Sequence, residues 1–368
     1  MRPEQGTGSQ QRTAPTSRKG TSTPYRRQAA GDGAALASVV LGAPHVSIVS
    51  WNLRSLALAN PEISHRKKSH VSTLAAANNV VFLLEARASL PFLTKWSRQW
   101  QASHVILSSV SAAGDTKAGI MVLIQKAFLQ NYGIKHTFGS VFAGRVCWVL
   151  LESDKGPPLY ILASHIERFS VDMIASVRNK RIELGTSVGL ALPRPGLGIM
   201  LGDYNFVNHH CHRWAQLESG PTVLPTQRRD LWAQRQWAPN TDGLVDFTLN
   251  EETFVRHTRD RQSASSTDSS SSSSSCSGGG PLKRFHGAPL DHVYGDLTCW
   301  QQLHVRISVT RALCPFLLFG SKVSDHAPLA VRIGTLLTKC RVARPAKINK
   351  WVLNSEPFRT HVFAACSA

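Results

Sequence analysis

Polar side chains in this chain repeatedly stand at the ends of apolar runs. The densest group is Gly202-Asp203-Tyr204-Asn205, which follows Ile199-Met200-Leu201. If residues 198–205 are extended, alternation puts Asp203 and Asn205 on the same side. A charged acceptor beside an amide suits a water, a metal ion or a phosphate oxygen. The same residues also read as a strand followed by an Asx turn. Further polar residues come in the order Asn52, Glu85, His165, Asp291 and Ser324-Asp325-His326, each at the edge of an apolar stretch. Three or four carboxylates meeting at one rim repel each other unless a cation joins them. Hard oxygen donors select Mg²⁺ or Mn²⁺ over zinc. Two histidines nearby could contact a phosphate or carry a proton. Together these groups are equipped for metal-assisted phosphodiester hydrolysis.

The elements that must carry them are legible from periodicity. Strands are predicted at 46–52, 80–85, 118–124, 145–152, 159–165, 198–205, 290–294 and 305–309, and after the polar triplet 324–326. Helices are predicted at 64–79, 91–102 and 170–189, with another around Leu231-Trp232 and a short buried segment at 243–247. Helices and strands mix without regular βαβ alternation. That pattern predicts an α+β sandwich and not a doubly wound parallel sheet.

Composition narrows the partners. Of 368 residues, 42 are Lys or Arg and 23 are Asp or Glu, a net charge of +19. The excess extends beyond the two basic ends of the chain into its body. A basic body favours a polyanion, nucleic acid before an anionic membrane. Seven cysteines without a CxxC pair argue against a disulfide framework and for a reducing compartment. There is no apolar run near the ~20 residues of a membrane span and no signal-peptide pattern at the N-terminus. The expectation is therefore an intracellular protein, nuclear or cytoplasmic, without a membrane partner. Residues 1–35 read as a disordered basic tail. Residues 263–280, a Ser run ending in Gly278-Gly279-Gly280, read as a flexible insert within one domain spanning 45–335. Residues 336–368 form a second basic tail. His209-His210-Cys211-His212 lacks the second cluster that zinc sites usually draw on, and reads as a loop.

The ordered set Trp51-Asn52, Glu85, Ser164-His165, Gly202-Asp203-Tyr204-Asn205, Leu290-Asp291-His292-Val293-Tyr294 and Ser324-Asp325-His326 resembles the endonuclease/exonuclease/phosphatase superfamily. Within it the chain is most similar to the endonuclease domains of non-LTR retrotransposons, because Ile348–Phe358 resembles the stretch that follows such domains. The resemblance implies a four-layer α/β/β/α sandwich of two packed mixed sheets flanked by helices. It implies a Mg²⁺- or Mn²⁺-dependent nicking endonuclease with DNA as partner. Glu85 would bind the metal, assisted by Asn52 and Asp325. Asp203 would orient or activate the attacking water. Asn205 and Asn52 would hold the phosphate. His326 would contact the phosphate or act as base, with Asp291 behind its imidazole, and His165 would support the phosphate from the other side. The resemblance leaves open whether Asp203 or His326 takes the proton. Three positions depart from the family pattern: Arg54 replaces an acid, Arg168 replaces an asparagine, and Pro289 replaces an arginine. Arg168 can still hold a phosphate. Two other readings share these residues: a lipid or inositol phosphate phosphodiesterase, and a decayed domain that binds nucleic acid without cutting it.

Overall fold

The computed structural model describes residues 40–335 except 57–59, 112–117, 167–170, 192–195, 208–213, 218–219, 224–227, 242, 250, 258–284, 299–300 and 303–304. Both predicted tails, the Ser-rich insert, Arg168 and the 209–212 cluster lie outside the described residues.

The amino-terminal half opens with β1 (His45–Asn52), α1 (Pro61–Ala77) and β2 (Val80–Leu84). Helix α1 starts earlier than its periodicity suggests because Asn60 caps it, its side chain accepting from the Glu62 and Ile63 N–H groups, with Pro61 in the first turn. Then come α2 (Leu90–Ser97), β3 (His104–Ser109), β4 (Ile120–Gln125), α3 (Lys126–Tyr132), β5 (Lys135–Phe142), β6 (Val146–Ser153) and β7 (Gly156–His165). The second half holds α4 (Val171–Ala191), β8 (Leu197–Asp203), β9 (Trp214–Leu217), β10 (Gly220–Val223), α5 (Arg228–Thr241) and β11 (Val245–Asp246). It ends with β12 (Phe254–His257), β13 (Phe285–Ala288), β14 (Asp291–Asp296), β15 (Val305–Arg311), α6 (Pro315–Gly320) and β16 (Leu329–Thr335).

Two six-stranded sheets result, in the orders β15-β16-β1-β2-β4-β3 and β11-β14-β8-β7-β6-β5. Each has one parallel pair, β1 with β2 and β7 with β8, and is otherwise antiparallel. Their strands alternate between two apolar environments. Ile48, Phe82, Val122, Ile161, Ile199 and Leu201 meet in the core between the sheets. Trp51, Leu83 and Met121 turn outwards against Val71 and Leu74 of α1 and Leu93 and Trp96 of α2. Leu162 and Met200 turn outwards against Ile174 and Val177 of α4 and Trp237 of α5. The architecture is the expected four-layer sandwich.

Two differences have physical reasons. Strands β3 and β5 were not predicted; both are edge strands, and β5 is largely exposed or half-buried, so its apolar pattern is weak. A third, antiparallel sheet, β10-β9-β13-β12, is made of four-residue strands too short to show a period.

Parallel strands bring their carboxyl ends to one side of a sheet, and an antiparallel neighbour starts at that side. The ends of β1, β2, β7 and β8 and the starts of β14 and β16 carry Asn52, Glu85, His165, Asp203, Asp291 and the Ser324-Asp325-His326 triplet at or next to them. Among the described residues, no helix is long and apolar enough to cross a membrane.

Gly202 makes the approach of β7 and β8 possible. Its φ is 140°, and a Cβ there would lie 1.9 Å from the Ser164 carbonyl oxygen, which the ladder holds in place. Gly202→Ala should lower unfolding free energy by about 3 kcal/mol, read as a fall in the urea midpoint at unchanged slope.

Candidate active site

Asp203 closes β8 and stands in register with His165 of β7 on one side and Asp291 of β14 on the other. The ladder thus fixes three of the expected residues side by side. Asn52, at the end of β1, belongs to the facing sheet and reaches across, its Nδ2 donating to Asp203 Oδ2 at 2.8 Å. This bond joins the two sheets at the rim.

Asn205 does not share a strand face with Asp203. The strand ends at Asp203, and Asn205 has a φ of 56°. Its N–H donates to Asp203 Oδ1 at 2.9 Å, which is an Asx turn, and its Nδ2 donates to the Ile166 carbonyl at 2.7 Å. The turn reading of the sequence is the correct one here.

His326 enters from the loop before β16. Ser324 Oγ donates to the Asn52 carbonyl at 2.7 Å and accepts from the His326 N–H at 3.1 Å. Trp51 Nε1 donates to the His326 carbonyl at 2.9 Å. The backbone on either side is tied to β12 and the residue before it, Val255 N–H to the Asp325 carbonyl and Ala327 N–H to the Thr253 carbonyl. The imidazole is so held that Nδ1 donates to Asp291 Oδ2 at 3.0 Å and Nε2 faces Asp203 Oδ2 at 3.6 Å. All three side chains are buried.

Burial opposes charge on this imidazole, but the Asp291 and Asp203 carboxylates outweigh it and hold His326 up at about 10. Burial pushes the Asp203 carboxyl up to about 7; the His326 charge pulls it down and the Asp291 charge pushes it up further. At neutral pH His326 is therefore an imidazolium, and the Asp203 carboxyl stands close to its titration point.

A second group lies at the ends of β2 and β7. Glu85 follows β2 with a φ of 52°. Its Oε2 is 3.5 Å from His165 Nε2, and its Oε1 accepts from Arg87 Nη2. Arg145 Nη1 lies 3.1 Å from His165 Nδ1. A guanidinium only donates, so Nδ1 carries the lone pair and Nε2 presents its proton to Glu85. Asp325 accepts from Arg54 Nη1. Beneath both carboxylates is Lys67, buried, with Nζ donating to the Leu53 and Ser55 carbonyls at 2.5 and 2.6 Å. Burial lowers Lys67 to about 8 against the opposing pull of the Asp325 and Glu85 charges.

Lys67, Arg87 and Arg145 were not singled out from the sequence. Lys67 sits in the run Arg66-Lys67-Lys68, which reads as a solvated helix face. Arg87, two residues after Glu85, was the one with a visible signal. The basic residues of α4 are partly committed within the fold. Lys180 pairs with Glu183 and covers the Trp148 ring, and Arg181 pairs with Asp296, while Arg178 is exposed.

The donor chemistry suits a hard divalent ion. Ligand atoms of Asp203, Asp291 and His326 lie within 4.8 Å of one another, but the imidazolium form of His326 offers an ion no lone pair. Asp325 Oδ1 is buried without a hydrogen-bond partner among the described residues, which a cation would satisfy. Charge repulsion alone, however, does not demand an ion, because Arg54, Arg87, Lys67 and His326 already stand against the carboxylates.

No family model matches the chain, and no curated protein matches it. Solved structures do. AP endonuclease LMAP from Leishmania major aligns with a TM-score of 0.54 at 11% identity, covering 79% of this chain and 88% of that one. D. rerio TDP2 complexed with a single-strand DNA product aligns with a TM-score of 0.44 at 14% identity, covering 78% of this chain and 98% of that one. The likeness to the AP endonuclease shows that the two chains share one fold.

His326 is raised from its ordinary 6.5, so in metal-free protein its charge contributes stability that is complete below pH 6.5 and is lost as the pH climbs to about 10. Asp291→Asn removes the nearer carboxylate and should bring the His326 titration down by about one unit or more. Histidine side-chain NMR in the presence of a chelator reads the shift directly.

Proposed function

We propose that this protein is a divalent-metal-dependent phosphodiester hydrolase that nicks DNA, of the type found in non-LTR retrotransposons. The observation that carries the reading is the buried Asp291–His326–Asp203 arrangement braced by Asn52. It puts an imidazolium and a carboxyl of raised pKa within 3.6 Å of each other at the rim of a basic protein. The AP endonuclease with the same fold is, by its name, a nuclease. The retrotransposon assignment is supported by the sequence signatures alone.

Each side chain has a role that follows from its surroundings. Asp203 is the group suited to orient a water and take its proton, because its carboxyl titrates near neutrality while Asn52 and the Asn205 N–H fix its direction. His326, kept charged by Asp291, donates to a non-bridging phosphate oxygen and offsets the charge that builds there. His165, oriented by Arg145, gives its N–H to Glu85 here, and would support the phosphate from the other side once an ion takes that carboxylate. Arg168 and Asn205 complete the phosphate contacts. Glu85, Asp325 and Asn52 would hold the ion, which supplies Lewis-acid polarisation of the phosphate when bound. Lys and Arg contacts along the backbone give an affinity that falls steeply with salt.

A second reading is favoured by one observation. Glu85 and Asp325 each hold an arginine, as expected of a domain that binds nucleic acid without cutting it.

Incubation with supercoiled plasmid and Mg²⁺ should yield nicked circles. Asp203→Asn and His326→Ala should each slow nicking by about 10³-fold or more, with DNA binding retained. Nicking that survives both substitutions refutes the assignment, and DNA binding without any metal-dependent nicking supports the second reading.

A further inference from the structure

Arg54 and Arg87 have no part in the proton transfer, yet they occupy the two carboxylates that an ion would need. Arg87 Nη2 donates to Glu85 Oε1, and Arg54 Nη1 to Asp325 Oδ2. The acids are buried, with side-chain exposures of 6% and 3%, while the arginines are 33% and 39% exposed. The guanidiniums therefore cap the acids from the solvent side.

Their roots are fixed and their tips reach water. Arg54 and Arg87 both leave the chain at positive φ, 49° and 47°, a conformation held only where surrounding bonds impose it. Those bonds are present. Ser55 and Leu56 N–H groups donate to the Glu85 and Ala86 carbonyls at 2.8 Å, and Arg87 N–H donates to the Ala118 carbonyl at 3.1 Å. Lys67 clasps the same loop through the Leu53 and Ser55 carbonyls.

The pairing also leaves two buried atoms unmatched. Arg87 Nε has no acceptor among the described residues, and Asp325 Oδ1 has no hydrogen-bond donor there, only His326 Nε2 at 4.0 Å. An anionic oxygen would satisfy the first and a cation the second. Both are what a metal-bound phosphodiester brings.

We propose that Arg54 and Arg87 are exchangeable counter-ions. A nucleic-acid phosphodiester draws the guanidiniums onto its oxygens, and the carboxylates released by that move bind the divalent ion. The proposal rests on the nuclease reading and adds cooperative assembly to it. Without nucleic acid, the acids are already neutralised and hold the ion weakly. By linkage, the ion raises nucleic-acid affinity by the same factor that nucleic acid raises ion affinity.

The test is a Mn²⁺ titration of the full chain, followed by the electron paramagnetic resonance signal of the free ion. It is run without DNA, with a cleavage-resistant phosphorothioate duplex, and with an uncharged methylphosphonate duplex, each corrected for ion bound by the duplex alone. The anionic duplex should lower the Mn²⁺ dissociation constant by roughly tenfold or more, and the uncharged one should not. In the double variant Arg54→Gln, Arg87→Gln the free protein should bind Mn²⁺ more tightly and the duplex effect should shrink. If that variant does not fold, the wild-type comparison decides alone. Equal Mn²⁺ affinity with and without the anionic duplex, in protein that still nicks plasmid, overturns the exchange and spares the nuclease reading. Failure both to bind Mn²⁺ and to nick plasmid overturns both.

Discussion

The buried imidazolium of His326 is the interaction on which this site depends. It lies between Asp291 and Asp203, and none of the three side chains has water to fall back on. A lone buried charge costs several kcal/mol, so each group is tolerable only in the presence of the others. The three come from distant parts of the chain: the end of β8, the start of β14 and the loop before β16. Asn52, which braces Asp203, comes from the opposite sheet. The site therefore cannot form until both sheets have closed on their shared core of Ile48, Phe82, Ile161 and Ile199. The geometry of the rim and global folding are one event here, and a lesion deep in that core would be felt at the rim.

Charge is balanced in two adjoining groups, which meet where His326 Nε2 lies 4.0 Å from Asp325 Oδ1. On one side an imidazolium faces the carboxylates of Asp203 and Asp291. On the other, Arg54, Arg87 and Lys67 face those of Glu85 and Asp325. The first set is buried. The second has partly exposed arginines.

Much of this arrangement was legible beforehand, for a definite reason. Buried strands such as 80–84 and 197–203 are nearly uniform in apolar residues, so a carboxylate or histidine at their ends stands out against its context. Where a strand is largely exposed or half-buried without clear alternation, as β5 is, or only four residues long, as β9 and β13 are, the pattern carries little contrast. Local backbone also escaped alternation rules. Asn205 was placed by turn geometry, not by strand period. The cations were the least legible part. Nothing in Arg66-Lys67-Lys68 tells which of three adjacent charges turns inwards, because that choice is made by the carbonyls of residues 53 and 55 and by acids far along the chain.

The small third sheet has a consequence of its own. Strand β12 bridges to His326 through Phe254, and pairs with β13 in a register that sets His257 opposite Phe285. The two residues that flank positions 258–284 are thus neighbours. Chain closure between fixed neighbours costs free energy that grows only with the logarithm of length. Sequence could be gained or lost between these two fixed points over generations while the rim a few residues away kept its shape.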